Sequence, residues 1–251
     1  MSVTIKTARE IEKMREAGRL LEQVHDELEN FIRPGVSTLE IDQLGEKIIR
    51  QMGCIPNFLH YNGYPASICV SVNDEVVHGI PRKDRILQDG DIVSLDAGLI
   101  HEGYHSDAAR THAVGNISEE AKRLIEVTKQ SFFEGIKLAV PGNHLFDISE
   151  AIQKYVESNG YSVVRDLVGH GIGTHLHEDP QIPNFKQRRK GMKLRPGMTL
   201  AIEPMVNEGS YDVVWLDDDW TVVTEDGSLA AHYENTIVIT EDGCEILTLS
   251  E

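Results

Sequence analysis

The chain has 251 residues, 40% hydrophobic and 26% charged, the balance of an ordinary globular protein long enough to bury a sizeable core. A formal net charge of −17 argues against generic binding to nucleic acid or to an anionic membrane surface. Cys54, Cys69 and Cys244 are too few and too scattered for a disulfide framework, and with neither a signal peptide nor a bilayer-length apolar run, a cytoplasmic location is expected.

Thr7 with Glu10 forms a capping box, and Ile11, Met14, Gly18, Leu21, Leu28 and Phe31 recur at helical spacing, so a long helix is expected to about Phe31. Pro34-Gly35 stops it. Ser37 with Glu40 opens a second helix, with Ile41, Leu44 and Ile48 inward, that ends at Gly53. A loop containing Tyr61, Gly63, Tyr64 and Pro65 precedes a strand over Ile68 to Val72. Val76 to Pro81 reads as a strand end that turns. The alternation Val93-Ser-Leu-Asp96 begins a hairpin whose turn is expected at His101-Glu102-Gly103. Ser118 starts a third long helix that ends before Pro141-Gly142, and a fourth runs from about Leu145 to Asn159, with Gly160 as its stop. Strands are expected over Tyr161 to Val168, Met198 to Val206, Trp220 to Thr224 and His232 to Thr240.

A turn centred between His101 and Glu102 would set Asp96 opposite Asp107. Like charges that close destabilise a hairpin unless a cation lies between them. Two solvated aspartates on an ordinary hairpin are the plain alternative. His101-Glu-Gly-Tyr-His105 matches a zinc-protease pattern, but that pattern needs a helix, and Gly103 and the flanking strand alternation rule one out.

An internal repeat carries the most information. Pro34, Gly35, Ile41, Lys47 and Gly53 recur as Pro141, Gly142, Ile148, Lys154 and Gly160, all at an offset of 107. At the same offset, Leu87-Gln-Asp-Gly90 matches Leu194-Arg-Pro-Gly197, and Asp96 corresponds to Glu203. The expectation is one domain over residues 1–251, with related α/β halves of about 7–115 and 118–251, that brings Asp96 and Glu203 together at the junction. Clefts of that kind are where ligand sites usually lie.

The second half adds His170 among glycines in Gly169-His-Gly-Ile-Gly173, and then His175 and His177, which share a face if the segment is extended. Glu203 precedes Pro204 inside an apolar strand, and Glu234 heads the last strand. A carboxylate in either place is costly unless it is paired or bound to a metal. Asp96, Asp107, His170, Glu203 and Glu234 thus form a candidate ligand set of four carboxylates and one imidazole. Such a set suits Mn, Fe or Co, with Zn also admissible.

Together His78-Gly-Ile-Pro, Asp96, Asp107, Gly-His170-Gly-Ile-Gly, His177-Glu, Ile-Glu203-Pro-Met and Tyr-Glu234-Asn-Thr-Ile resemble the type I methionine aminopeptidases, in their compact bacterial form. The resemblance covers almost the whole chain in order. It implies the pita-bread fold, an α/β (α+β) arrangement of two pseudo-twofold-related halves, with helices packed on a curved antiparallel sheet. It implies two divalent ions, held by Asp96, Asp107, His170, Glu203 and Glu234, with Asp107 and Glu234 bridging. Glu203 would move the proton, His78 and His177 would contact the substrate, and His177 would donate to the oxyanion. Tyr61, Tyr64, Cys69 and Trp220 would line the methionine pocket. Phe58 and Leu176 depart from better-known members at two pocket positions. The implied activity is removal of the N-terminal methionine from nascent polypeptides with a small second residue, by a monomer. Met1-Ser2 is itself such a start. An Xaa-Pro dipeptidase is the nearest rival, ahead of a metal-free binding module and a dinuclear phosphatase.

Lys186-Gln-Arg-Arg-Lys-Gly-Met-Lys-Leu-Arg195 holds 6 of the chain's 24 Lys and Arg and no acid. A solvated loop is the plain reading. A ribosome-docking patch near the cleft rim is the functional one.

Overall fold

The computed structural model describes residues 3–249, so Met1-Ser2 lies outside the described residues. The first half runs α1 (Ala8–Phe31), α2 (Thr38–Gln51), β1 (Ile55–Pro56), β2 (Ile68–Val72), β3 (Glu75–Val77), β4 (Ile92–His101) and β5 (Tyr104–Ala113). The second begins with α3 (Glu119–Ile136), α4 (Leu145–Ser158), β6 (Ser162–Val163), β7 (Gly169–Gly171), β8 (Glu178–Ile182) and β9 (Thr199–Ile202). It continues through β10 (Met205–Asn207), β11 (Val213–Trp215), β12 (Val222–Thr224), β13 (Ala230–His232), β14 (Glu234–Ile239) and β15 (Cys244–Ile246). Capping boxes at Thr7 and Ser37 open α1 and α2 as the sequence predicts.

Nine strands form one antiparallel sheet in the order β1-β4-β5-β14-β9-β7-β8, with β2 also on β4 and β15 also on β14. Period two decides which residues face which layer. Val93, Leu95, Ala97 and Leu99 of β4 pack with Ala17, Leu21, Val24 and Leu28 of α1 in one apolar core. Asp96 and Gly98 therefore point to the other face. A second core gathers Leu124 and Phe132 of α3, Ile148 and Ile152 of α4, and Leu200 and Ile202 of β9. The two halves join where β5 pairs with β14, Ala109 against Glu234 and Ala108 against Asn235.

The repeat has a counterpart in the backbone. Isolated bridges link Ser37 to Ile86 and His144 to Lys193, again offset by 107. Gly35 and Gly142 have φ of 93° and 90°, and donate to the carbonyls of Leu87 and Leu194.

Five expectations need correction. The hairpin turn is Glu102-Gly103, with φ of 46° and 82°, the two positive values of a type I′ turn. That shifts the register, so Asp107 lies opposite Gly98 and Asp96 opposite Ala109. The aspartates keep a shared face but are diagonal neighbours. The strand expected over Met198 to Val206 breaks at Glu203-Pro204 into β9 and β10, which join different sheets, because Pro204 has no N–H for a ladder. The segment from His232 onward breaks likewise at Tyr233, whose N–H donates to the carbonyl of Pro204 (3.2 Å). The strand over Tyr161 to Val168 shrinks to Ser162–Val163, and residues 174–177 bend rather than extend, so His175 and His177 do not share a strand face.

Candidate active site

Asp96, Asp107, His170, Glu203 and Glu234 all line one cavity of about 160 Å³, together with Phe58, Tyr61, Tyr64, Cys69, His78, Leu176, His177 and Trp220. The cavity therefore gathers every predicted site residue. Asp96 comes from the middle of β4, Asp107 from β5, His170 from β7 and Glu234 from the head of β14, while Glu203 sits at the break after β9. Gly98 lets the first aspartate's strand approach the second. A Cβ there would lie 2.5 Å from Asn57 Nδ2 and 3.0 Å from Asp107 Oδ1.

Ligand atoms of Asp107, His170 and Glu234 lie within 4.8 Å of one another, and all three residues are buried. His170 Nε2 is 3.8 Å from Asp107 Oδ2 and 3.7 Å from Glu203 Oε1. His170 Nδ1–H donates to the carbonyl of Gly171 (2.8 Å), which leaves the Nε2 lone pair facing the acids. Arg110 backs the cluster. It donates to the carbonyl of Glu234, to Asn235 Oδ1 (2.6 Å) and to the carbonyl of Thr248 (3.1 Å), with its guanidinium over the Tyr233 ring.

Oδ1 of Asp96, Oδ1 of Asp107 and Oε1 of Glu234 are buried without a hydrogen-bond partner. Removal from water raises the pKa of Asp96 to about 7. It pushes Asp107, Glu203 and Glu234 well above the ordinary carboxyl range, and repulsion among the four adds to the shift. Burial holds His170 down at about 3. Orphaned carboxylate oxygens that converge on a neutral imidazole are the donor set a divalent cation fits.

At the cavity mouth, the exposed His177 shares a hydrogen bond between Nδ1 and the Tyr61 hydroxyl (2.7 Å) and stacks edge-on against His170, centroids 4.3 Å apart. Desolvation raises the Tyr61 pKa and lowers that of His177, so the phenol keeps its proton and the ring is neutral. The apolar wall is built from Tyr64 and Trp220, edge to face at 5.1 Å, with Cys69, Phe58 and Leu176 buried beside them. Tyr64 is fixed by donating to the carbonyl of Gly79 (2.8 Å). His78, in the left-handed region at φ 59°, presents its ring to Trp220 at 6.3 Å.

Two residues escape a reading of the sequence. Asn62 lines the cavity. His232 is buried, has no hydrogen-bond partner at either ring nitrogen, and places Nε2 3.9 Å from Glu203 Oε2. Its position two residues before Glu234 was the available signal.

The cluster predicts how stability follows pH. Below about pH 6.5, an ordinary histidine's pKa, the depressed histidines His78, His105, His170 and His232 work against the carboxylates. Above it, unfolded histidines and carboxyls are both deprotonated, and the folded acids alone retain protons. The metal-free protein should therefore lose stability as pH rises from about 6.5, by up to about 1.4 kcal/mol per unit per retained proton. Saturating Mn should remove that loss. Melting temperatures across this range check it, and a metal-free Tm that rises with pH would contradict it.

A model of metallopeptidase family M24 matches residues 12–241. The methionine aminopeptidase of Clostridium acetobutylicum is 57% identical over 99% of this chain and 100% of its own length. The crystal structure of methionine aminopeptidase from Thermotoga maritima has a TM-score of 0.97 at 48% identity, covering 99% of this chain and 100% of that one. The Xaa-Pro dipeptidase from Bacillus anthracis follows at a TM-score of 0.79 and 27% identity, with only 62% of that chain covered. The fold, two helix-backed halves on one antiparallel sheet, is the pita-bread fold of these relatives. This chain belongs to metallopeptidase family M24 and, within it, to the methionine aminopeptidases.

Proposed function

We propose that this protein removes the N-terminal methionine from nascent proteins and peptides whose second residue is small. It would act in the cytoplasm as a monomer, with residues 1–251 as one catalytic domain. The observation that carries the reading is the meeting of four carboxylates and a neutral imidazole beside an apolar wall of two aromatic rings and a thiol. Among the described residues no helix is long and apolar enough to cross a membrane.

Asp96, Asp107, His170, Glu203 and Glu234 would hold two divalent ions. Four carboxylates carry more charge than one dication balances. The oxygen-rich set favours Mn, Fe or Co, with Zn admissible. When bound, such ions make water a nucleophile near neutral pH and polarise a carbonyl.

The chain's own residues do the rest. Glu203 takes a proton and returns it to the leaving amine. His177 donates from Nε2 to the carbonyl oxygen as negative charge develops, in the tautomer whose Nδ1 accepts from the Tyr61 hydroxyl. His78, which lines the cavity, contacts the substrate. Tyr61, Tyr64, Cys69, Trp220, Phe58 and Leu176 enclose the thioether, using the sulfur–aromatic contacts methionine favours.

Release of methionine from Met-Ala-Ser by the Mn-loaded enzyme tests the reading, with Met-Lys-Ser and Ala-Pro as contrasts. Only the first should be cut well. Glu203→Gln should abolish turnover and weaken metal binding. His177→Ala should keep the metal and lower kcat by about 10²–10³. Equal rates on Met-Ala-Ser and Met-Lys-Ser, or preference for Ala-Pro, would sink the assignment.

The basic segment Lys186 to Arg195 packs on the start of α4 through Phe146 and Leu145, and Lys186 pairs with Glu150 (2.5 Å). None of its residues lines the cavity itself. Arg188, Arg189 and Lys190 are exposed. A docking role on ribosomal RNA phosphate fits this face, in an otherwise acidic protein. Reversing the three to Glu should weaken co-sedimentation with ribosomes at low salt and leave Met-Ala-Ser cleavage unchanged. A variant that pellets as the wild type does would reduce the segment to a solvated loop.

A further inference from the structure

The turn that carries His177 is held from outside the sheet. Lys6, just before the α1 N-cap, crosses to the second half, where its N–H donates to the carbonyl of Gly197 (2.8 Å). Its side chain is 3% exposed and its Nζ lies 2.5 Å from Glu178 Oε2. The other oxygen of Glu178 accepts the N–H of His175 (3.3 Å). Gly173 begins the same turn and lies directly on the ammonium stem. A Cβ there would be 2.4 Å from Lys6 Cε and 2.5 Å from Glu178 Oε1. Residue 173 also receives the N–H of His105 (2.8 Å) at its carbonyl. One buried cation thus touches both ends of the 173–178 turn, and His177 is the residue before its anchor.

We infer that Lys6 and Glu178 are positioning residues for His177, a role that rests on His177 acting as the donor to the substrate carbonyl. The pair lets the N-terminal segment of the first half set the ring's place in a turn of the second. A buried pair is a poor way to add stability, because desolvation offsets the attraction, but it fixes geometry well when both partners are present. Removing either partner frees the turn, and a misplacement of about 1 Å at a reacting group can cost about 10²-fold in rate.

The test uses the Mn-loaded full-length enzyme on Met-Ala-Ser, with Lys6→Met, Glu178→Gln and the double variant. Each single variant should lower kcat about 10- to 100-fold while keeping metal content and leaving KM nearly unchanged. The double variant should be no worse than the poorer single one. Affinity for a methionine phosphonate, a mimic of the tetrahedral state, should fall by the same factor as kcat. A merely structural role would instead lower the active fraction and leave the kcat and phosphonate affinity of the folded enzyme intact. Wild-type kcat in folded Glu178→Gln, additive losses in the double variant, or loss of fold in both single variants would each overturn the inference. If His177→Ala itself matches the wild type, the failure lies with the reading of His177 and not with the ion pair.

Discussion

Four carboxylates line one cavity that, among the described residues, no Lys or Arg lines, and their repulsion is the constraint the structure is built to hold. Their ionised forms are disfavoured both by burial and by one another. The Arg110 guanidinium beside the cluster is spent on the backbone of Glu234 and on Asn235 and Thr248. An arrangement that leaves Asp96, Asp107 and Glu234 each with an orphaned oxygen would be selected against in a purely structural core. It makes sense as a receptor for dications.

The scaffold meets that cost by symmetry. Each half has an apolar core behind its strands, and a third apolar cluster joins Met14 and Cys69 of the first half to Ile172 and Val238 of the second. Asp107 and Glu234 then sit on the two strands that join the halves, β5 and β14, Glu203 where β9 breaks at Pro204, and Asp96 on β4 beside them. Glycines at 98, 169 and 171 remove the Cβ atoms that would hold the strands apart there. At 169 a Cβ would lie 2.4 Å from the carbonyl of Ala201.

The helices were open to sequence reasoning because capping boxes and 3.6-residue spacing are local signals. The repeat was too, since an offset of 107 kept from Pro34 to Asp96 is visible without coordinates. That offset placed Asp96 with Glu203, and the cavity does contain both. What stayed hidden was non-local or sub-residue in scale. The hairpin register turned on the sign of φ at Glu102, which moved Asp107 from opposite Asp96 to opposite Gly98. The breaks at Pro204 and Tyr233 depend on two sheets competing for one segment. The hold of Lys6 on the turn bearing His177 joins residues 172 apart to Glu178, and no local pattern announces it.

The central claim is that the acids are kept for cations, two per chain, and give up protons to take them. Calorimetric titration of Mn into the metal-free protein at pH 7, repeated in buffers of different ionisation enthalpy, measures both quantities at once. The account predicts two bound ions and net proton release, since raised carboxyl pKa values must fall when metal binds. Fewer than two ions, or binding with no protons released, would contradict it.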